Sequence, residues 1–284
     1  MIRRPPRSTL SSSSAASDVY KRQPKASEMS STILAIVDVF NFWDLLLIGL
    51  GILLAGIVRG FVGFGASLII VMTASVILGP RSAVAIATLS GLPSMLQLLP
   101  IAIKKADRGF VIPFGFAAMI AAPFGTWLLV SIEPVFMKMS ISITVMCMVL
   151  MLYKDVKISA HSNKKFLVSI GIGAGLIQGS AGIGGPPAVA VALSKPGTTE
   201  EQRANVIGAV TALGICGVIP LWYHNLFTTE VIFVSILFFP IYVGSTWVGT
   251  QFFVKYGRNY FRNFSLIVLT IISLATLIIA ISNY

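Results

Sequence analysis

Ala55 to Ala66 reads AGIVRGFVGFGA, with four glycines and one arginine inside an otherwise apolar stretch. A second stretch, Ala174 to Gly185, reads AGLIQGSAGIGG. Gly56, Gly60, Gly63 and Gly65 are spaced 4, 3 and 2, and so are Gly175, Gly179, Gly182 and Gly184, at a constant offset of 119 residues. The two runs therefore read as copies of one ancestral unit, each placing strong helix breakers in the middle of an apolar segment.

The surroundings are those of a membrane protein. The chain has 284 residues, 56% hydrophobic and 11% charged, against roughly 25% charged in soluble domains. Apolar stretches near the roughly 20 residues that cross a bilayer recur from Asp44 onward. These runs are far longer than a barrel strand, so the fold class is an all-α polytopic membrane protein. Cys147 and Cys216 lie in apolar runs and read as buried packing residues.

Residues 1–28 stand apart. They are Ser- and Arg-rich with no apolar core, unlike a secretory signal, and read as a non-native or disordered leader before a natural start near Met29. Six basic and two acidic residues belong to this leader; without it the net charge falls from +11 to +7. Such an excess speaks to membrane topology and not to nucleic acid.

Apolar segments fall at about 44–59, 64–79, 82–103, 110–131 and 136–153, and again at 166–180, 184–194, 204–223, 230–253 and 263–282. Residues 29–153 form a first repeat, 154–165 a basic linker and 166–284 a second repeat. Further matches support the duplication: Thr126-Trp127 recurs as Thr246-Trp247, and PRSAVAIATLSG resembles EQRANVIGAVTA. The first two segments of each half are short, so each pair is one broken helix or a hairpin, either re-entrant or spanning.

Charge discriminates between these. If each pair crosses once, the basic loop residues divide seven against seven. If each pair returns to its starting side, Lys104, Lys105, Arg108, Lys154, Lys157, Lys164, Lys165, Lys195, Arg203, Lys255, Arg258 and Arg262 share one face, leaving Arg81 and Lys138 opposite. Twelve against two satisfies the positive-inside rule. The expected architecture is thus two inverted repeats, each a glycine-rich hairpin plus three transmembrane helices, with basic loops cytoplasmic and both termini outside. Inverted repeats with interrupted helices place a transporter's substrate site at their interface.

Candidate site residues follow. Gly63, Gly65, Gly182, Gly184 and Gly185 are expected to form turns at a central cavity, where helix N-termini suit an anion. Arg59 is the basic residue within an apolar segment, and Gln178 holds the matching position; a charge at depth is costly and marks function unless it snorkels to an interface. Ser67 and Asn205 complete the expected substrate contacts, with Thr88, Ser90, Gln97, Ser180 and Thr211 as further polar candidates. Beyond the leader every Asp and Glu lies in a loop or at a segment end, which leaves no mid-span proton relay. His161 and His224 are loop residues. No P-loop, HExxH or GxSxG is present, so no catalytic residue, metal or cofactor is expected.

At these residues the chain resembles the TauE/SafE family of sulfite and organosulfonate exporters, over about residues 43–283. That family carries GxxxGxxGxGGG followed by proline near the start of each half. Gly175 to Pro187 matches, except that Pro186 replaces the final glycine; the first copy departs further, with Ala66 and Ser67. The resemblance implies an inner-membrane permease exporting sulfite or a related sulfur anion, with the bilayer and a small anion as partners. Homo-oligomerisation stays open. Alternatives are an importer or carrier of another solute, a membrane-embedded enzyme, and a non-transporting assembly protein.

Overall fold

A computed structural model describes residues 41–137, 139–141, 143, 164–257 and 267. The leader, Lys138, Cys147, His161, Arg258, Arg262, most of the 154–165 linker, nearly all of the 263–282 segment and both chain termini lie outside the described residues. By internal proximity the chain forms two units, Met1–Leu45 and Leu46–Tyr284. Of the first, only Asn41–Leu45 are described, with the Phe42 and Trp43 rings edge to face at 5.7 Å.

The described elements are helical, without strands. They are α1 (Phe42–Val62), α2 (Ala66–Lys105), α3 (Arg108–Ser131), α4 (Lys164–Ala181), α5 (Gly185–Ser194), α6 (Thr199–Tyr223) and α7 (Thr229–Leu237). An eighth, α8 (Phe239–Gly257), is bent by 46° from α7. Four helices, α1, α2, α3 and α6, are long and apolar enough to cross a membrane, and α7 with α8 makes a fifth broken span. Phe116, Phe124, Ile219, Trp222 and Phe252 stand exposed on the outside, an arrangement costly in water and natural in lipid.

Sequence and structure differ in detail. α1 has 21 residues and rises roughly 31 Å, enough to cross alone. The helix passes the expected end near residue 59 and stops at Val62, with Arg59 in its last turn. α2 continues through the two expected segments with one break, at Gly79 (φ 79°, ψ 168°) before Pro80, where proline removes a backbone donor. By contrast α5 has only 10 residues, roughly 15 Å, and cannot span. Lys164 and Lys165 already belong to α4 and not to the linker.

Glycines set how the helices meet. Gly171 lies against Phe114, Gly175 against Ala118 and Gly179 against Ala122, so α4 runs parallel to α3 in backbone contact. Likewise Gly56 lies against Tyr242 and Gly60 against Thr246, so α1 runs parallel to α8. Each glycine-rich helix therefore packs on a helix of the other half. Thr126 Oγ1 donates to the carbonyls of Ala122 (3.2 Å) and Gly179 (3.3 Å). Thr250 Oγ1 does the same to Thr246 (2.9 Å) and Gly60 (3.3 Å). Contacts thus pair Thr126 with Thr250, one helical turn beyond the Thr246 that the sequence match picks out.

Lys105 pairs with Glu200, and Lys195 with Asp107. The α2–α3 and α5–α6 loops consequently meet at one end of the helices, where a single-crossing arrangement would have held them a bilayer apart. Arg203, at the start of α6, and Phe253, near the end of α8, meet there too, 4.0 Å apart. Arg81 lies at the other end of α3, donating to the carbonyls of Leu129 (3.3 Å), Val130 (2.6 Å) and Ile132 (3.4 Å). Hence α1 and α8 run toward the loop end and α3 and α4 away from it.

Candidate functional site

The two glycine breaks interrupt α1–α2 and α4–α5. α1 stops at Val62 because Gly63 and Gly65 each take φ 90°, a region costly for residues with a Cβ. α4 stops at Gly182, φ 71°, and α5 restarts with Pro186 and Pro187 in its first turn, where a missing N–H does no harm. Gly184 keeps a helical φ of −64°. Its requirement is room, since a Cβ there would run into the Ala174 carbonyl.

Arg59 and Gln178, the matching pair, each tie their side chain to their own break, but with opposite polarity. Arg59 Nη1 donates to the Gly63 carbonyl at 2.7 Å. Gln178 Oε1 accepts from the Gly184 N–H at 3.0 Å. One bond uses a donor and the other an acceptor, so what each side chain has left is a donor: Arg59 Nη2 and Gln178 Nε2. Arg59 is 3% exposed, and its Nη2 is buried without a hydrogen-bond partner. Among the described residues it makes no ion pair. A guanidinium so placed does not snorkel, and an unpaired buried charge of this kind costs several kcal/mol.

Both side chains line a cavity between the halves, with Ser67, Thr88, Ser94 and Tyr242 as its other polar walls. Thr88 Oγ1 donates to Val84 O (2.9 Å) and Ser94 Oγ to Gly91 O (2.8 Å), while Ser94 Oγ stands 3.5 Å from Tyr242 Oη. Ala66 and Ser67 bring the N-terminus of α2 to the wall, adding partial positive charge. Among the described residues no carboxylate lines the space. It measures about 20 Å³, enough for one water and too little for a sulfur oxyanion without the walls moving apart.

Of the nine expected contacts, Arg59, Ser67, Gln178 and Gly182 line this cavity. Gly63 and Gly184 act one step back, through their bonds to Arg59 and Gln178. Gly65 precedes α2 and Gly185 opens α5. Asn205 sits elsewhere, its Oδ1 accepting the Asp107 N–H at 2.6 Å in the α2–α3 loop. Thr88 joins the wall, whereas Ser90, Gln97 and Thr211 are not among its residues. Sequence reasoning missed Ser94 and Tyr242; a lone tyrosine inside the 230–253 apolar run was the available signal. It also read Arg203 as a loop residue, yet Arg203 is 3% exposed and caps the end of α1, donating to Gly60 O (2.5 Å) and Phe61 O (3.1 Å).

Among the described residues no cluster of His, Cys, Asp or Glu could hold a metal, and Cys216 is a buried free thiol. What the centre offers is one unpaired guanidinium, neutral donors and no acid, between two broken helices. The sequence matches the family model of the sulfite exporter TauE/SafE over residues 48–276. The chain belongs to the TauE/SafE family. It is accordingly a multi-pass membrane transporter and not an enzyme. No curated protein and no solved structure matches it. In this TauE/SafE chain the family's glycine motif serves to shape the two breaks, and the charge is supplied by Arg59.

Proposed function

We propose that the protein exports a small sulfur oxyanion, sulfite or an organosulfonate, across the inner membrane by alternating access to the cavity at Arg59. The observation that carries this reading is Arg59 Nη2, a buried charged donor without a partner among the described residues, on a wall whose described residues include no carboxylate. An anion there would accept from Arg59, Gln178 and Tyr242 and offset the guanidinium's desolvation.

The halves are read as inverted copies, because α1 with α8 and α4 with α3 make matching contacts while running in opposite senses. Basic loops gathered at one end suit a cytoplasmic face, and on that reading the first hairpin enters from outside and the second from inside. Export then follows the membrane potential, gaining about 2.3 kcal/mol per charge per 100 mV. The narrow cavity fits a state between loading and release, and separation of the two halves would open it to either side in turn.

The test is flux from proteoliposomes loaded with sulfite under an imposed potential. Wild-type protein is expected to give potential-driven efflux, and Arg59→Gln to reduce it at least about tenfold through loss of a charge-assisted bond. Unchanged flux and concentration dependence in Arg59→Gln would refute the site.

A further inference from the structure

A second cavity lies at the loop end, between the end of α2, the start of α6 and the end of α8. It measures about 320 Å³ and is lined by Pro100, Ile101, Lys104, Lys105, Glu200, Arg203, Thr250, Phe253 and Val254. That is the lower range of ligand pockets and far larger than the space at Arg59. We propose that this vestibule is a second anion site and that it takes organic anions, an acidic head on Lys104 and Arg203 and a short apolar tail on Ile101 and Phe253.

Charge supports the head. Among the described lining residues Lys104, Lys105 and Arg203 stand against one acid, Glu200, which Lys105 engages. Arg203 is built in: 3% exposed, held by Gly60 O and Phe61 O through Nη2 and Nε, and stacked 4.0 Å over the Phe253 ring. Among the described residues those bonds engage Nη2 and Nε and not Nη1. Both acceptors are carbonyls at a helix C-terminus, which carry partial and not full negative charge, so the positive field at Arg203 is only partly answered. A guanidinium whose orientation is already fixed loses little freedom when a ligand arrives.

The other walls support the tail. Pro100, Ile101, Phe253 and Val254 form an apolar side, which a bare inorganic oxyanion leaves unused. An amphipathic anion covers both faces. Its source is either a free organosulfonate or the head of an anionic lipid, since both present an acidic group on an apolar stem.

Position gives the site a role that rests on the export reading. Arg59 lines the central cavity, and the next residue, Gly60, offers its carbonyl to Arg203 and Thr250, both in the vestibule wall. Adjacent residues of α1 thus connect to the two spaces. An anion on Arg203 Nη1 draws on the same guanidinium that holds Gly60, and so acts on the residue beside Arg59.

The test is equilibrium binding of labelled butanesulfonate to the full chain in phosphatidylcholine nanodiscs, with methanesulfonate as competitor. Lys104→Gln removes an exposed charge and leaves packing intact; it is expected to weaken the vestibule's binding about tenfold. Affinity at this site should rise roughly fourfold per methylene between the two sulfonates. In discs containing phosphatidylglycerol, loss of that binding identifies the lipid as occupant, and its persistence identifies the free anion. Binding in Lys104→Gln equal to wild type, with no dependence on tail length, would overturn the proposal. Arg59→Gln is the separate control: if it alone changes binding, the central site stands without the vestibule, and if Lys104→Gln alone does, the vestibule stands without the central site.

Discussion

The Thr126 hydroxyl stands 3.3 Å from the Gly179 carbonyl, and in the other half Thr250 stands at the same distance from Gly60. Each bond joins a glycine-rich helix to a helix of the opposite half, where missing side chains let backbones touch. Gly60→Ala and Gly179→Ala would drive a Cβ into the Thr246 and Ala122 carbonyls respectively. Each is expected to lose about 1–3 kcal/mol, by similar amounts, in thermal unfolding of the purified protein. Thr126→Val and Thr250→Val should each lose only about 0.5–1.5 kcal/mol.

Gln178 separates stability from transport. In Gln178→Glu the acceptor for the Gly184 N–H remains, but the donor facing the cavity becomes a negative charge on the wall that Arg59 shares. The melting temperature is expected to hold or rise, while sulfite flux falls at least about tenfold as the carboxylate occupies the guanidinium. Retained flux would mean that the anion does not meet this wall.

Tyr242 is 1% exposed, and its hydroxyl stands 3.5 Å from Ser94 Oγ at the cavity. Tyr242→Phe removes that hydroxyl and little packing. Apparent affinity for sulfite should weaken roughly three- to tenfold with an unaltered melting temperature, read from the concentration dependence of flux.

Asp107 gives a pH signature outside the membrane spans. The hydrogen bond from Lys195 holds its carboxyl below the usual carboxylate range, with the Gly109 and Phe110 N–H groups adding to this against a desolvation that opposes it. A depressed carboxylate stabilises the fold above its unfolded pKa, about 3.9, and that stabilisation disappears as pH falls through the lower folded value. Asp107→Asn should therefore melt slightly below wild type at neutral pH, by under about 1 kcal/mol for so exposed a pair. The gap should close below about pH 4; a gap that widens on acidification would contradict the pairing.

Much of this was legible in the chain because it is local. Paired glycine runs at fixed spacing announce two breaks, and the structure puts them at Gly63–Gly65 and Gly182–Gly184. Arg59 stands out as a charge in an apolar run, whatever it touches. What sequence hides is partnership at long range. Tyr242 reaches Ser94 across 148 residues, and no local pattern marks either as its neighbour. Arg203 looks like one more basic loop residue, because its burial is decided by the end of α1, 142 residues earlier. Asn205 is polar in an apolar helix, as a site residue would be, yet its oxygen serves the Asp107 N–H. A helix-buried amide reads the same from sequence whether it faces a cavity or a loop.

The crosswise seating of the glycine-rich helices also orders events during synthesis. α1 leaves the ribosome early, but the Thr250 hydroxyl that meets Gly60 lies 190 residues later. At about 5–20 residues per second, that partner arrives roughly 10–40 s afterwards. Through that interval the first hairpin must be held, with Arg59 and a backbone-bare glycine face, by lipid or by the insertion machinery. α4 waits for nothing, since α3 is already in the membrane when it emerges. A protein translated from its N-terminus thus seats its second glycine-rich helix before its first.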